Sequence, residues 1–405
     1  MRAHTAAIQD PGDLLGRLPD DVPLAWVRQG DGLIAWGEAH RIAVGTGPQR
    51  VRRALDELER WLTGVRITGD ADQPGTGPVS FASLTFDNRV DGSCLIVPRV
   101  VVGRRHGTAW MTVTGEEDAT LPPSQPLEDP GRIRYAGASV PETAWLEAVA
   151  AAASRIRNGG GLSKVVLARD LKVWSSQPLD PRILARRLAQ RFDGCWTFLC
   201  AGLVGATPEL LVRRTGERFQ SLILAGSAAR GREAADDERL GHALLASHKD
   251  RVEHAIAVES VIGRLAALCT EVVIDEEPWL LRLANVQHLA TNVSGMLAKD
   301  ASALEIAAVL HPTAAVCGTP TDTAMEVIRG AEGMDRGRYA GPVGWMDARG
   351  DGEFGIALRC AEIAGTRARL FSGAGIVGQS LPEAELEETR LKLRAMQSAL
   401  EGTAP

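Results

Sequence analysis

The chain has 405 residues, of which 45% are hydrophobic and 24% are charged, so it can bury a large globular core. Its formal net charge of −6 gives no reason to expect nucleic acid or a membrane surface as a partner. No stretch of about 18 apolar residues is present to span a membrane, and the opening MRAHTAAIQDPGD lacks the apolar core of a signal peptide.

The six cysteines are scattered, with no C-x-x-C pair and no histidines at metal-ligand spacing. This pattern predicts reduced thiols in a cytoplasmic protein and argues against a zinc site. The length by itself favours two or three domains, although large single domains of mixed helix and strand are also known.

Residues 1–135 alternate short β-rich runs with turns around one helix, predicted over Gln49 to Trp61. The predicted strands of this part are Leu24–Val27, Leu33–Trp36, Arg41–Val44, Val79–Phe86, Leu95–Val102 and Thr108–Val113. Residues 115–140 are rich in Pro, Gly, Asp and Glu and are predicted to form a connecting loop. No catalytic constellation stands out before residue 141.

Helices and strands are mixed throughout the rest of the chain. Helices are predicted near residues 142–159, 181–191, 301–310 and 382–400, and over 233–268 as one or two long helices. Strands are predicted at Lys164–Leu167, Trp196–Ala201, Leu210–Arg214, Ser221–Leu224, Gln287–Val293, Val343–Trp345, Glu353–Ile363 and Arg367–Phe371. There is no short-period repeat. We therefore predict an α+β fold, a single large domain over residues 1–405 with two mostly antiparallel sheets flanked by helices.

A sharply starting helix follows the glycine-rich stretch SGAGIVGQS near the C-terminus. Ser380 and Glu383 have the spacing of a capping box, and Pro382 suits a first helical turn. Glu385 and Glu388 then share one face with a lysine four residues further on. This face is either a solvated charged surface or part of a site for an anion and a hard cation.

The glycines at 373, 375 and 378 spell G-x-G-x-x-G between a strand and a helix, which is the pattern of a dinucleotide-binding turn. That interpretation requires a second strand ending in an acidic residue about 20 residues further on. Because the chain runs on as a helix to Leu400, we reject it and expect the glycines to let the backbone approach a small anionic ligand.

Two ionisable residues lie where acid–base chemistry is possible. Lys164 opens the apolar strand KVVLA, and burial can lower the pKa of a lysine until it acts as a base. Glu209 lies in the turn of ATPELL, where an apolar setting can keep a carboxyl protonated as a general acid. The alternatives are a strand-end lysine whose charge reaches water and an ordinary turn glutamate.

Glu253 lies within the helical stretch SHKDRVEHA. It can form an i,i+4 pair with Lys249, or it can join Glu385 and Glu388 to supply the few carboxylates that Mg²⁺ takes. His288 and Arg359 are polar residues inside apolar strands. The histidine can be a satisfied core residue, whereas a buried arginine needs an anion, and a ligand carboxylate suits its fork.

Nine segments taken together are more specific than any single residue. In chain order they are GLSKVVLAR, ATPELLVR, LAGSAARG, SHKDRVEH, NVQHLATNVSG, LHPTAAVCGTP, RYAGPVGW, GIALRCAEI and FSGAGIVGQSLPEAELEETRLK. Their succession resembles the chorismate-utilising enzymes and, within them, the isochorismate synthases. The resemblance covers residues 141–400 as a catalytic core, while residues 1–135 match the family's variable N-terminal half only loosely. It implies a single α/β sandwich of two large sheets flanked by helices.

The resemblance also implies roles for individual residues. Lys164 would be the base that activates a water for attack at C2 of chorismate, and Glu209 the acid that protonates the departing C4 hydroxyl. Glu253 and Glu388 would bind Mg²⁺, with Glu385 supporting them through metal-bound water. Arg359, Tyr339, Gly373 and Gly375 match positions that receive the enolpyruvyl carboxylate. The other positions that match the family's substrate pocket are Ala225, Gly226, Ser227, His288, Ala315 and Lys392.

Related activities differ at a few positions. The ammonia-using anthranilate and aminodeoxychorismate synthases lack the lysine found at 164 and have a lysine where this chain has Thr321. Salicylate synthases, which go on to eliminate pyruvate, share Lys164 and Glu209 but differ at the loop 314–316. Ser227 stands where the family usually has threonine, so the hydroxyl is kept. A catalytically dead binding paralogue is disfavoured because every catalytic position is filled.

The resemblance therefore implies an isomerase that acts on the small molecule chorismate, in the cytoplasm and without an amidotransferase subunit. The expected oligomeric state is a monomer or a weak homodimer. The product could supply either menaquinone or siderophore synthesis.

Overall fold

The computed structural model describes residues 1–116, 119–124 and 126–403. The helices in these residues are α1 (Arg50–Leu62), α2 (Glu142–Arg157), α3 (Pro181–Arg191), α4 (Ala234–Ala246), α5 (His248–Leu265), α6 (Ala303–Leu310), α7 (Thr321–Ala331) and α8 (Pro382–Glu401). Strands β1 to β10, in the N-terminal part, are Arg2–Ile8, Leu24–Arg28, Asp31–Trp36, His40–Ala43, Arg66–Gly69, Val79–Ser83, Cys94–Val97, Val100–Arg105, Thr108–Thr114 and Ile133–Gly137. Strands β11 to β23 are Lys164–Ser175, Trp196–Cys200, Leu203–Thr207, Leu210–Thr215, Arg218–Ala229, Cys269–Ile274, Trp279–Arg282, Val286–Leu297, Gly318–Thr319, Pro342–Asp347, Gly352–Ile356, Cys360–Ala364 and Arg367–Ile376.

The strands of the described residues form two large, mostly antiparallel sheets. The first sheet has the order β10-β11-β23-β22-β13-β12-β2-β3-β8-β9-β1-β5, with β19 beside β11. The second has the order β16-β18-β15-β14-β21-β20-β6-β7-β4, with β17 beside β18. Only β1 and β5 pair in parallel among the described strands. Strands from residues 1–135 and from residues 141–400 occur in both sheets, as the expected α+β sandwich requires.

Two hydrophobic clusters explain why so many strands are apolar on both faces. One cluster fills the space between the sheets and includes Trp26, Phe81, Trp345 and Phe354. The other lies on the opposite face of the first sheet, where Leu184 and Leu188 of α3 and Leu393 and Met396 of α8 cover it. Because the first sheet is covered on both faces, its strands read as continuous apolar runs instead of alternating ones.

Two of the predicted strands are each divided in the structure into two shorter strands, which belong to different sheets. The predicted run Leu95–Val102 is divided at Pro98-Arg99 into β7 of the second sheet and β8 of the first. The predicted run Glu353–Ile363 is divided into β21 of the second sheet and β22 of the first. Arg359, predicted inside a strand, therefore lies at a crossing between the sheets. A continuous apolar pattern hides such a crossing, since both strands and the connection between them are buried.

Several other elements differ from the prediction. Part of the predicted loop 115–140 forms β10, which pairs with β11, while residues 117, 118 and 125 of that loop lie outside the described residues. The stretch 225–227, predicted to end a strand, is a bulge within β15, where Gly226 has φ +77°. Strands β1, β5, β13, β16, β17 and β19 and helix α7 were not predicted.

The predicted capping box at the start of α8 is wrong. Leu381 occupies the N-cap position, and no side chain caps the helix there. Ser380 Oγ instead accepts a hydrogen bond from the Val377 N–H at 3.1 Å, which fixes the turn between β23 and α8. Pro382 does open the helix, as predicted. In the described part of the chain, no helix is long and apolar enough to cross a membrane.

Candidate active site

A cavity of about 720 Å³, including its open mouth, lies between β11 and β23 of the first sheet and β15 and β18 of the second. Helices α5 and α8 each contribute carboxylates to its wall. Every predicted site residue lines this cavity except Lys164, which is buried behind the wall, and Glu385. The lining predicted residues are Glu209, Ala225, Gly226, Ser227, Glu253, His288, Ala315, Tyr339, Arg359, Gly373, Gly375, Glu388 and Lys392.

Lys164 begins β11 and is 0% exposed. Val166, two residues further along the strand, lines the cavity, so the lysine side chain lies on the face of the sheet that borders it. Lys164 Nζ lies 3.0 Å from Glu253 Oε1, but the ammonium has no hydrogen-bond partner of acceptable geometry among the described residues. A buried donor of this kind can take a further acceptor without first losing one.

Gly375 explains how Glu253 and Lys164 come so close to the neighbouring strand. A Cβ atom at position 375 would lie 2.3 Å from Glu253 Oε1 and 3.1 Å from Lys164 Cε. Any other residue at this point of β23 would therefore displace the carboxylate. The close approach that Gly375 allows here is to a carboxylate of the chain itself, and the predicted approach of a small anionic ligand stays a prediction.

Glu209 lies where the chain crosses from β13 of the first sheet to β14 of the second. Glu209 is 4% exposed, and its carboxyl accepts no hydrogen bond from a described residue. Burial raises the pKa of Glu209 to about 8, although the charges of Lys164 and Lys392 act in the opposite direction. The carboxyl is therefore protonated at neutral pH and can donate a proton into the cavity, which is the role that the family resemblance implies; that role stays a prediction.

His288 and Arg359 form a connected pair on the cavity wall. Arg359 Nη2 lies 3.0 Å from His288 Nε2, and since a guanidinium can only donate, Nε2 must be the acceptor. The proton of the neutral ring is then on Nδ1, which lies 3.0 Å from Ser227 Oγ and 3.3 Å from the Gly226 carbonyl. Burial, together with the charges of Arg359 and Lys392, lowers the pKa of His288 well below its usual value.

Arg359 has no carboxylate partner among the described residues, although it is 7% exposed. Its φ of +46° is rarely adopted by residues other than glycine, and such strain is concentrated at functional sites. The predicted strand position is wrong, but the predicted need for an anion stands. A ligand carboxylate in the cavity would satisfy it.

The lysine of α8 connects the helix to β23. Lys392 Nζ donates to the Gly373 carbonyl at 3.0 Å and lies 2.6 Å from Glu388 Oε1. Burial acts to raise the pKa of Glu388, but Lys392 outweighs it and the pKa is lowered.

Tyr339 stacks on Phe371 with the ring centroids 5.1 Å apart. Burial also raises the pKa of Tyr339, so its hydroxyl remains a hydrogen-bond donor.

The predicted metal ligands are each paired with a lysine. Lys249 Nζ lies 3.0 Å from Glu385 Oε1, so the predicted i,i+4 pair of Lys249 with Glu253 is not formed. In the described part of the chain, no three acidic, histidine or cysteine side chains converge closely enough to hold a metal ion by themselves. Glu253 and Glu388 nevertheless both line the cavity, and Glu253 occupies the space left by Gly375. Two carboxylates of this kind fit Mg²⁺, which usually keeps its other positions for water and substrate oxygens.

Several lining residues carry no individual signal in the sequence. Apolar positions such as Leu224, Leu358 and Phe371 read simply as core. Arg336 is 3% exposed and lines the cavity, but in MDRGRY it reads as a surface residue of a loop. The sequence signal that could have indicated a paired Arg336 was Glu332, which lies four residues earlier, at the spacing of an ion pair on one helical turn.

Comparisons with known proteins agree with this geometry. A family model described as chorismate binding enzyme matches residues 116–401. The isochorismate synthase DhbC of Bacillus subtilis (strain 168) is 42% identical over 253 residues, which cover 60% of this chain and 64% of that relative. The isochorismate synthase MenF of the same organism is 34% identical over 387 residues, covering 87% of this chain and 82% of the relative. The structure of MenF, the menaquinone-specific isochorismate synthase from Escherichia coli, superposes with a TM-score of 0.83 at 26% identity, covering 98% of this chain and 94% of that one.

Proposed function

The chain belongs to the chorismate-binding enzymes, and we propose that it catalyses the reversible, Mg²⁺-dependent conversion of chorismate to isochorismate. In this reaction a water adds at C2 of the ring, the double bonds shift, and the C4–oxygen bond breaks. The reaction needs a base for the incoming water and an acid for the departing hydroxyl. The two Bacillus subtilis relatives are isochorismate synthases, which supports this choice within the family.

The observation that carries the proposal is the state of Glu209. A carboxyl with a pKa of about 8, raised by burial, is protonated at neutral pH and faces a cavity lined by cationic groups. A protonated carboxyl there is suited to give its proton to a leaving hydroxyl, because a general acid works best when its pKa lies near the working pH.

Lys164 supports the proposal from the other side of the cavity. In the first sheet, β11 and β13 are separated by β23 and β22, so their backbones are roughly 14 Å apart at about 4.8 Å per strand. Glu209, in the crossing that follows β13, lines the cavity, and the Lys164 side chain lies on the face of β11 that borders it. A six-membered ring bound between them would meet the base on one side and the acid on the other.

Arg359 and the polar residues beside it can bind a carboxylate of a dianionic substrate. Arg359 lacks a carboxylate partner, so it can bind a carboxylate of the ligand without breaking an existing ion pair. His288 accepts from Arg359 and thereby holds the guanidinium in one orientation. Tyr339 lies close to the backbone of Gly373 and can donate to the same carboxylate.

We propose that Glu253 and Glu388 would hold Mg²⁺ and that Glu385 would support them through water bound to the ion. When bound, the cation supplies positive charge that anchors the ring carboxylate. Glu253 also contacts Lys164, so its carboxylate links the proposed cation site to the proposed base.

The nucleophile in this proposal is water, activated by a lysine within the chain. The chain then needs no ammonia and no amidotransferase subunit, and it can act in the cytoplasm. One compared structure is named menaquinone-specific, and isochorismate made here would serve that synthesis or a siderophore's.

Product analysis tests the proposal. The purified protein, incubated with chorismate and Mg²⁺, should give a mixture of chorismate and isochorismate, and the same mixture should form from isochorismate. Substantial salicylate with stoichiometric pyruvate would replace the isomerase with a lyase. Unchanged chorismate would favour a catalytically dead binding protein.

A further inference from the structure

The strand that carries Lys164 has an incomplete neighbour. Along one side β11 pairs with β23 from Val165 to Trp174. Along the other side it pairs only with β19 at Lys164 and Val165 and with β10 from residue 172 onward. Between these two short pairings, no strand of the described residues lies beside the backbone of β11 on this side, although the backbone is buried.

Val166 and Ala168 direct their backbone groups toward this gap, and each group has a partner. The Val166 N–H donates to the Cys317 carbonyl at 2.8 Å, and the Val166 carbonyl accepts from Arg336 Nη2 at 2.8 Å. The Ala168 N–H donates to Glu332 Oε1 at 2.8 Å, and the Ala168 carbonyl accepts from Trp145 Nε1 at 3.2 Å. Three of the four partners are side chains, so they take the place of the missing strand.

Arg336 also connects this strand to the cavity loop. Its Nη1 donates to the Val316 carbonyl at 2.8 Å, and residues 315 and 316 line the cavity. Its guanidinium pairs with Glu332 and lies 4.1 Å from the centre of the Phe86 ring. One side chain therefore joins β11, the loop at 315–316 and the N-terminal half of the molecule.

We propose that Glu332 and Arg336 are positioning residues for Lys164, holding the edge of β11 and the loop at 315–316 in register around the substrate. The proposal rests on the function proposed above, in which Lys164 is the base. Arg336 acts here through the backbone of two other elements and does not take part in proton transfer.

The planar fork of Arg336 is what makes these contacts compatible. A lysine keeps the charge but presents a single ammonium, which cannot reach two carbonyls and a carboxylate in fixed directions. A displacement of the base by about 1 Å can cost on the order of 10²-fold in rate. We therefore expect Arg336→Lys to lower kcat by about 10- to 100-fold with little change in KM, because the loss concerns the orientation of the base.

Arg338→Lys is the matched control. Arg338 is two residues away and also donates to two backbone carbonyls, those of Cys200 and Ala201. Its side chain makes no hydrogen bond to β11 among the described residues, and it does not itself line the cavity. Its replacement should leave kcat and KM close to those of the wild type.

The experiment measures kcat and KM for chorismate together with amide hydrogen exchange of β11 in both variants. Support requires a fall in kcat for Arg336→Lys, a KM near that of the wild type, and faster exchange at Val166 and Ala168. A raised KM with unchanged kcat would overturn the proposal, since Arg336 would then bind substrate directly. Equal losses in both variants, or unchanged exchange in β11, would also overturn it.

Trp145→Phe covers the case in which Arg336→Lys does not fold. It keeps a buried ring and removes only the donor to the Ala168 carbonyl, so it should produce a smaller fall in kcat. By loosening the edge of β11 it should also speed exchange of the Ala168 amide, which Glu332 holds. Wild-type kinetics with unchanged exchange would contradict the proposal. Wild-type turnover of chorismate, measured in the same assay, separates a failure of this inference from a failure of the proposed function.

Discussion

Glu209 and Glu353 are buried glutamates of neighbouring segments, since Glu353 lies on β21, which pairs with the start of β14 at Leu210. Glu353 accepts hydrogen bonds from Trp26 Nε1 at 2.9 Å, Trp196 Nε1 at 3.1 Å and Arg213 Nε at 3.0 Å. Burial acts to raise its pKa, but Arg213 and the indole donor of Trp26 outweigh burial, and the pKa is lowered. Glu209 has no such donors, and its pKa rises to about 8.

Burial alone therefore does not decide the charge of a carboxyl in this fold. The hydrogen-bond donors around each carboxyl decide it: Glu353 has three, and Glu209 has none among the described residues. Arg336, with a carboxylate and two carbonyls, and Arg359, with only a histidine, show the same contrast for a cation. Among the carboxylate, lysine and arginine side chains that line the cavity, Glu209 and Arg359 form no ion pair in the described part of the chain.

The largest effect is expected at Lys164. Lys164→Ala removes the proposed base but leaves the cationic groups that bind the substrate, so turnover should fall by a factor of order 10² or more while chorismate still binds. Steady-state rates and a binding isotherm with chorismate and Mg²⁺ measure the two effects. Turnover within a few-fold of the wild type would remove Lys164 from the mechanism.

Glu209→Gln should be nearly as damaging to turnover, by about 10²-fold, because an amide cannot donate the proton. The pKa of Glu209 is about 8 in the folded chain and near 4.5 when exposed, so the folded state alone keeps the proton between these pH values. The wild type should lose stability relative to the variant as pH rises from 4.5 to 8. Chemical denaturation of both proteins at pH 5 and pH 8 checks this sign.

Glu353→Gln should give the opposite pair of results. It leaves charged and polar donors without their carboxylate, so the free energy of unfolding should fall by about 2 kcal/mol at neutral pH, with kcat unchanged. Because the pKa of Glu353 is lowered on folding, its stabilising effect should disappear as pH falls through that pKa. Loss of activity in a stably folded Glu353→Gln protein would break the division between the two regions.

The sequence predicted which residues form the candidate site better than it predicted where those residues lie in the fold. Local patterns indicated the shared face of α8 and named Lys164 and Glu209 as candidates with open alternatives, and only the family resemblance assigned roles to these two residues. They did not reveal that Arg359 lies at a crossing between sheets, because the apolar run around it continues through the crossing. Burial depends on contacts between distant segments, which a single sequence does not display.

Ion pairs show the same limit. Lys249 and Glu253 have the spacing of a helical pair, yet Lys249 binds Glu385 of α8 and Glu253 lies beside Lys164 of β11. In the structure each of these residues pairs with one more than 80 residues away in sequence, and no rule based on local spacing predicts such a pair. The unsatisfied state of Glu209 and Arg359 was likewise visible only once their surroundings were built.

The smallest of the four expected effects concerns the cation. Glu388→Gln keeps the shape of the side chain and removes one charge, so the concentration of Mg²⁺ required for half-maximal activity should rise about tenfold while the fold survives. Titration of activity with Mg²⁺ measures this change. Wild-type activity of the variant at limiting Mg²⁺ would rule out Glu388 as a ligand.

The protonation of Glu209 is the central claim, and its titration can be followed directly. The glutamate carboxyl carbons are labelled, the resonance that disappears in Glu209→Gln is assigned to Glu209, and its NMR shift is recorded against pH in the protein without substrate. The account predicts a midpoint near pH 8, well above the ordinary value of 4.5. A midpoint at or below 4.5 would contradict it, because Glu209 would then be ionised at neutral pH and could not serve as the acid.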